Sequence, residues 1–299
     1  MRAEKNMSWE ATFKSWSSPP GTTEQTKCDN AVRAIRKAID AHSTLKNRSI
    51  KVFAQGSYCN RTNVRAESDV DVCVYCDETM FFDLPEGMTA ADLSISTPAA
   101  YSYARYKNDV EVALTDYFGE DGVTRGKKAF DVHENTYRVD ADAVPCFEYR
   151  RYWKDLTYRK GTAFDPDKGS RIKNYPKQNY DNGVQKNTDT GGRFKDIVRI
   201  LKRLNYKMEE DDIAAAPIPS FLIESLVWNV PNEGFGHDTY TGDVRWALAH
   251  LFNNTRQVDQ SEEWVEVNDC KYLFRSSQPW TLAQAHAFTS AAWDYLGFE

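Results

Sequence analysis

The sequence predicts an α/β (α+β) protein of two lobes, a mixed sheet with flanking helices followed by a mainly helical lobe. Two observations carry that prediction. Short β-branched or apolar runs recur before residue 150, at Val52-Phe53-Ala54, Val70 to Val74, Ala129 to Val132 and Tyr137 to Phe147, with helical periodicity between them. Beyond residue 192 the apolar positions fall three and four apart instead, as along Phe194, Ile197, Val198, Leu201, Leu204 and Met208. The lobes are accordingly placed at residues 1–150 and 151–299.

A chain of 299 residues has ample length for such a core, and 41% hydrophobic with 13% aromatic residues fits a soluble globular protein rather than a disordered one. No run approaches the roughly 18 apolar residues of a membrane span. Met1 to Asn6 leads into no apolar signal segment. The six cysteines are scattered, which is not a disulfide framework, and a reducing cytoplasmic setting is expected. Cys73 and Cys76 lie three apart on one strand, on opposite faces, so they share neither a zinc ion nor a disulfide. A net charge of −6 argues against binding long nucleic acid, yet residues 150–207 hold sixteen Lys/Arg against six Asp/Glu, a local balance of +10 suited to a small polyanion.

In chain order, residues 8–20 read as an irregular arm, and Thr22-Thr23-Glu24-Gln25 reads as a capping box opening a helix to about His42, with Cys28, Ala31, Val32, Ile35 and Ile39 on its apolar stripe. Gln55-Gly56-Ser57-Tyr58-Cys59-Asn60-Arg61-Thr62-Asn63-Val64 then precedes Ser68-Asp69-Val70-Asp71-Val72. An apolar run enters a Gly-Ser turn, and the next strand carries Asp69 and Asp71 two apart, hence on one face. Like charges so placed are costly to bury without a counter-charge, and Mg²⁺ takes such carboxylates together with substrate phosphates. Gly56 permits close approach of backbone amides to a phosphate, and the Ser57 hydroxyl adds a donor. Taken by itself, D-x-D is spelled the same way on a solvated edge strand.

Gly-Ser followed by Asp-x-Asp resembles the DNA polymerase β-like nucleotidyltransferases. The longer stretch from Gln55 to Asp71 resembles their cGAS/DncV-like branch in bacteria, the CD-NTases. That resemblance implies the polymerase β-like core and a second, helical lobe, with nucleotides bound in the cleft between. The helix after Thr22 corresponds to one that braces both lobes in that family, and Gln55, Gly56 and Ser57 correspond to nucleotide-binding positions.

Residues 77–98 are acidic without clear period and read as a loop with a short helix. A helix is predicted over 99–117 with Tyr103, Val110 and Leu114 inward, then a turn at Gly119 to Gly122, the basic Arg125-Gly126-Lys127-Lys128 and a strand to Val132. On the strand from Tyr137, Asp140 and Asp142 share a face, and two-metal phosphoryl chemistry needs a third carboxylate from one of them. The resemblance selects Asp142, just ahead of Ala143-Val144-Pro145, and leaves Asp140 without a role.

Residues 150–192 read as basic, aromatic and loop-like, punctuated by Pro166, Gly169, Pro176 and Gly183. Within them Lys173-Asn174-Tyr175-Pro176 and Tyr180 to Asn187 resemble the lid of the clade E CD-NTases, in which the asparagine before Tyr-Pro lies against a nucleobase and accompanies acceptance of uridine. A carboxamide can pair with a uracil carbonyl and its N3–H; the residues alone equally make Asn174 a turn residue. The helix from Gly192 to Met208 carries a basic stripe of Lys195, Arg199 and Lys202, an ordinary solvated face, but the resemblance takes Lys202, and likewise Ser220 ahead of Phe221-Leu222, to the donor triphosphate. Val244, Leu248, Leu251 and Phe252 pattern one later helix, and Thr281-Leu282-Ala283-Gln284 caps another.

The resemblance implies an enzyme that joins and cyclises ribonucleoside triphosphates, UTP and ATP favoured, into a uridine-containing cyclic dinucleotide or oligonucleotide of the cyclic UMP-AMP or cyclic di-UMP type. Asp69, Asp71 and Asp142 would be the catalytic and metal-binding residues, with two Mg²⁺ ions (Mn²⁺ as alternative). The product would act as a diffusible second messenger in anti-phage (CBASS) signalling through a downstream effector. A monomer is expected, with no membrane partner. The rival readings are a template-independent RNA nucleotidyltransferase, a protein-modifying nucleotidyltransferase and a catalytically silent nucleotide sensor.

Overall fold

The computed structural model describes residues 2–64, 69–95 and 99–299, with side chains from residue 9 onward. Ser68 in the signature stretch and residues 96–98 of the acidic loop lie outside the described residues. The chain forms two compact units, a sheet unit of Gly21–Cys59 and Ala66–Pro176 and a helical unit of Met1–Pro20, Asn60–Arg65 and Lys177–Glu299. The division expected at residue 150 is corrected on both sides. Strands beyond it extend the sheet, and the helix before residue 20 packs with the later helices.

The sheet unit opens with α2 (Thr22–Ala41), after α1 of the other unit (Arg2–Trp16). The capping box expected at Thr22 is absent: Gly21 occupies the N-cap in extended conformation and Thr22 is already helical. β1 (Ile50–Ala54) pairs antiparallel with β2 (Val70–Asp83), and β2 runs parallel to β5 (Ala141–Tyr152). The first part of the expected 77–98 loop is therefore strand, held by pairing of Met80–Asp83 with Glu148–Arg151, and only a short turn of helix at Ala90–Leu93 follows it.

The other edge of β5 carries β4 (Phe130–Val132), itself paired with β3 (Val123–Arg125), and farther along β6 (Tyr158–Phe164), paired in turn with β7 (Ile172–Asn174). One parallel pair among antiparallel ones makes the sheet mixed, as expected. β6 and β7 correct the loop expected over 150–192. α4 (Tyr103–Phe118) starts at a Ser102 cap and buries Tyr103, Tyr106, Val110 and Leu114; the Tyr106 hydroxyl donates to the Val74 carbonyl at 2.6 Å and that of Tyr103 to the Pro145 carbonyl at 3.0 Å. These bonds satisfy strand carbonyls inside an apolar core, where an unpaired one costs about 1–3 kcal/mol.

In the helical unit, α1 replaces the expected irregular arm. Its Trp9, Phe13 and Trp16 recur at helical spacing, Trp9 stacked on the fully buried Phe13 and Trp16 tilted against both. The Glu10 carboxylate accepts from the backbone N–H groups of Tyr240 at 3.0 Å and Thr241 at 2.7 Å, where a negative charge suits the exposed amides that open α8 (Tyr240–Thr255). α5 (Pro176–Asp189), α6 (Arg193–Glu210) and α7 (Ser220–Trp228) precede it, so the expected lid from Tyr180 to Asn187 is helix. α9 (Leu282–Leu296) begins in the predicted capping box of Thr281 and Gln284. Among the described residues no helix is long and apolar enough to cross a membrane, and all six cysteines are free thiols.

Candidate active site

A row of acidic residues crosses three strands of the sheet unit. Asp71 on β2 stands in register with Asp142 on β5, and Asp142 with Asp131 on β4. Registered neighbours on adjoining strands project from the same face about 5 Å apart, so β-pairing itself sets these carboxylates side by side. Asp69 is exposed, one residue ahead of β2 rather than inside it as expected. Asp140 likewise precedes β5: its Oδ1 accepts from the Glu134 amide at 2.5 Å and its carbonyl from Val70 N–H at 3.0 Å, the work of a turn residue rather than of a ligand.

Burial, then the charges of Asp142 and Asp69, push the Asp71 carboxyl up to about 6. Burial followed by Asp140 and Asp131 raises Asp69, and burial followed by Asp69 and Asp131 raises Asp142. Among the described residues no cation lowers any of the three, and burial with like charges makes each less stable as an anion here than in water. In their present positions no three such groups among the described residues converge tightly enough to hold an ion. An all-oxygen donor set of this kind fits a hard divalent cation.

Gly56 is required beside this row for two reasons. Its φ is +67°, and a Cβ would stand 2.2 Å from Asp71 Oδ2, so any side chain there would strike the carboxylate. The Gly-Ser turn is the first turn of α3 (Gly56–Asn60), with Ser57 half-buried. The backbone N–H of Gln55 donates to the Asp71 carbonyl at 2.8 Å, tying the two arms of the motif together. Asn174 ends β7 opposite Thr162 of β6, ahead of the buried Tyr175, which makes it a strand residue rather than a turn residue.

Lys202 and Ser220 belong to the helical unit. Lys202 is 2% exposed and its ammonium donates to the Thr62 carbonyl and hydroxyl, both at 3.2 Å, and to Glu224 Oε2 at 2.9 Å. All three N–H bonds are engaged, so no free ammonium is offered to a triphosphate, and the solvated basic stripe is corrected as well. Arg199 is also buried and donates to the carbonyls of Ser17 and Arg61, each at 2.6 Å. Burial pushes the Glu224 carboxyl up, but the Lys202 charge and the bonds from Thr62, Lys202 and Asn60 more than offset it and hold the group below its ordinary value. Ser220 opens α7, its hydroxyl 3.0 Å from that of Tyr206. The motif's Asn60 and Thr62 therefore serve Glu224, a role for which the Asn-x-Thr spelling holds no separate signal. Asp131 was also missed; alternation in Phe130-Asp131-Val132 placed it on a face but not beside Asp142.

Residues 181–297 match the cGAS/DncV-like nucleotidyltransferase C-terminal helical domain. The chain is 46% identical to a cyclic dipyrimidine nucleotide synthase CdnE of Legionella pneumophila, over 97% of this chain and 99% of that one, and 42% identical to another from Cecembia lonarensis, over 97% and 98%. Among solved structures, the CdnE c-UMP-AMP synthase of Rhodothermus marinus with Apcpp and Upnpp superposes with a TM-score of 0.84 at 29% identity, covering 96% of both chains. The likeness covers nearly the whole chain, and the polymerase β-like core expected from Gly-Ser and Asp-x-Asp is the fold observed. The chain thus belongs to the cGAS/DncV-like nucleotidyltransferases, in their CdnE branch of cyclic nucleotide synthases.

Proposed function

We propose that this protein joins and cyclises two pyrimidine ribonucleoside triphosphates, at least one of them UTP, into a cyclic dipyrimidine nucleotide that serves as a second messenger in anti-phage signalling. One observation carries the chemistry: Asp71 and Asp142 lie in register on adjoining strands, each destabilised as an anion, beside a glycine whose position and backbone conformation would strain any side chain. The base preference rests on Asn174 and on likeness to the two cyclic dipyrimidine synthases.

Asp69, Asp71 and Asp142 would hold Mg²⁺, which when bound neutralises triphosphate charge and acidifies the acceptor hydroxyl. The Asp142 carboxylate accepts the proton of the acceptor 3′-hydroxyl, whose oxygen bonds to the α-phosphorus of the donor as the bond to pyrophosphate breaks. A second, identical exchange closes the ring. Ser57 donates its hydroxyl to a phosphate oxygen, while Gly56 keeps the backbone clear of the Asp71 carboxylate. Asn174 offers its carboxamide to the base edge, and family resemblance alone assigns Ser220 to the donor triphosphate. Lys202 is left out of that set because its ammonium is fully engaged with Thr62 and Glu224.

The test is to incubate the protein with Mg²⁺ and all four ribonucleoside triphosphates, digest with phosphatase, and identify surviving products by mass spectrometry, with Asp71→Asn alongside. A resistant uridine-containing dipyrimidine ring, absent with the variant, is the expected result. A purine-only ring overturns the base assignment, and linear tails overturn cyclisation.

A further inference from the structure

The assignment of a pyrimidine to Asn174 leaves open what holds its carboxamide edge-on. With Oδ1 toward N3–H and the amide N–H toward O4, the fork reads uracil; turned over, it reads N3 and the 4-amino group of cytosine. In either orientation one lone pair and one N–H face the base, and a second of each points away. A group behind the amide that can both donate and accept would steady both orientations.

Thr162 is in that place. It is the registered partner of Asn174 across the β6–β7 pair, so the two side chains leave the same face with Cβ atoms about 5 Å apart. It is only 4% exposed, and its hydroxyl has no hydrogen-bond partner among the described residues. Its other registered neighbour, Glu148 of β5, accepts from the Tyr75 hydroxyl at 2.6 Å and from Arg150 Nε at 2.5 Å, and pairs with Lys160. The backbone around the pair is pinned, since a Cβ on Gly161 would meet the Asn174 carbonyl at 2.4 Å and the Tyr175 ring at 3.0 Å. A buried hydroxyl left without a partner is unfavourable and calls for a reason.

We propose that the Thr162 hydroxyl is a positioning group that hydrogen-bonds the far side of the Asn174 carboxamide when a pyrimidine is bound, and that its ability to donate or accept lets the site take both uridine and cytidine triphosphates. This rests on the reading of Asn174 as the base contact. The hydroxyl itself is closed off from the base and acts through the amide. A valine keeps the shape and removes the donor and acceptor; a serine keeps them.

The test compares wild type, Thr162→Val, Thr162→Ser, Asn174→Ala and the double variant T162V/N174A in Mg²⁺, measuring kcat and KM for UTP, CTP and ATP together with thermal melting. T162V is expected to raise KM for UTP and CTP about three- to tenfold, the range of one neutral hydrogen bond, with KM for ATP unchanged. Its melting temperature stays level or rises, because no bond is lost in the free protein. T162S restores the wild-type values, and T162V adds nothing in the N174A background. Equal losses for all three nucleotides with a lower melting temperature, unchanged kinetics, or a full effect in the N174A background each overturn the proposal. A wild type with no pyrimidine preference overturns the Asn174 reading and this inference with it; a wild-type preference that T162V leaves intact overturns this inference alone.

Discussion

The acidic row on the sheet is half-buried and the Lys202–Glu224 pair in the helical unit is fully buried, and their electrostatics are opposite. At Asp71 every influence raises the carboxyl: burial, Asp142 and Asp69. At Glu224 burial raises it, and Lys202 with three hydrogen bonds overrides that. A cluster that repels itself is arranged for a charge that arrives from outside, whereas a cluster that satisfies itself maintains the fold. Charged residues in one sequence motif are therefore not equivalent, and their partners tell which kind each is.

The largest effect expected from breaking this contrast is at Asp71. Asp71→Asn should lower cyclase turnover at least a thousandfold, ~4 kcal/mol of transition-state stabilisation, while the melting temperature holds or rises because one repelling charge is gone. A parallel loss of melting temperature would mean that the row is structural.

Glu224→Gln should do the reverse, leaving a buried ammonium short of its counter-charge at a cost of about 3 kcal/mol in chemical denaturation, with turnover per folded molecule close to wild type. Unaltered stability with a raised KM for nucleotide would return Lys202 to the triphosphate. Gly56→Ala falls between the two classes. It forces a Cβ into a left-handed conformation and against Asp71 Oδ2, and about 1–2 kcal/mol of stability should be lost from the backbone alone, together with turnover.

The smallest effect is in pH. Glu224 is held below its ordinary value of 4.5, so its stabilisation is complete above that value and is lost as pH falls through the lowered folded value. Wild-type stability should therefore decline on acidification below about pH 4.5, and the decline should be shallower in Glu224→Gln. Identical acid limbs would show that the pair contributes nothing.

Much of the sheet's functional edge was legible in the residues. Alternation placed Asp71 opposite the apolar face of Val70 and Val72, and a β-branched run predicted the strand that carries it. α6 was legible because an apolar stripe of period 3.6 needs only one buried side. β6 and β7 were not: Tyr158 to Phe164 has a weak pattern of its own and becomes strand by pairing with β5. α1 was obscured by Ser17, Ser18 and two prolines, although Trp9, Phe13 and Trp16 already stood at helical spacing.

By itself, the sequence determined the local alternatives: which segments are able to be strand or helix, which aspartates share a face, and the family to which the Gly-Ser and Asp-x-Asp stretch belongs. Those are properties of neighbours along the chain, set by period and steric preference. Tertiary structure alone decided that Asp142 meets Asp71 while Asp140 holds a turn, and that Lys202 is buried against Glu224, 22 residues on, and Thr62, 140 residues back. The physical reason is that the state of a charge depends on what surrounds it in space, and burial brings together partners that sequence distance keeps apart.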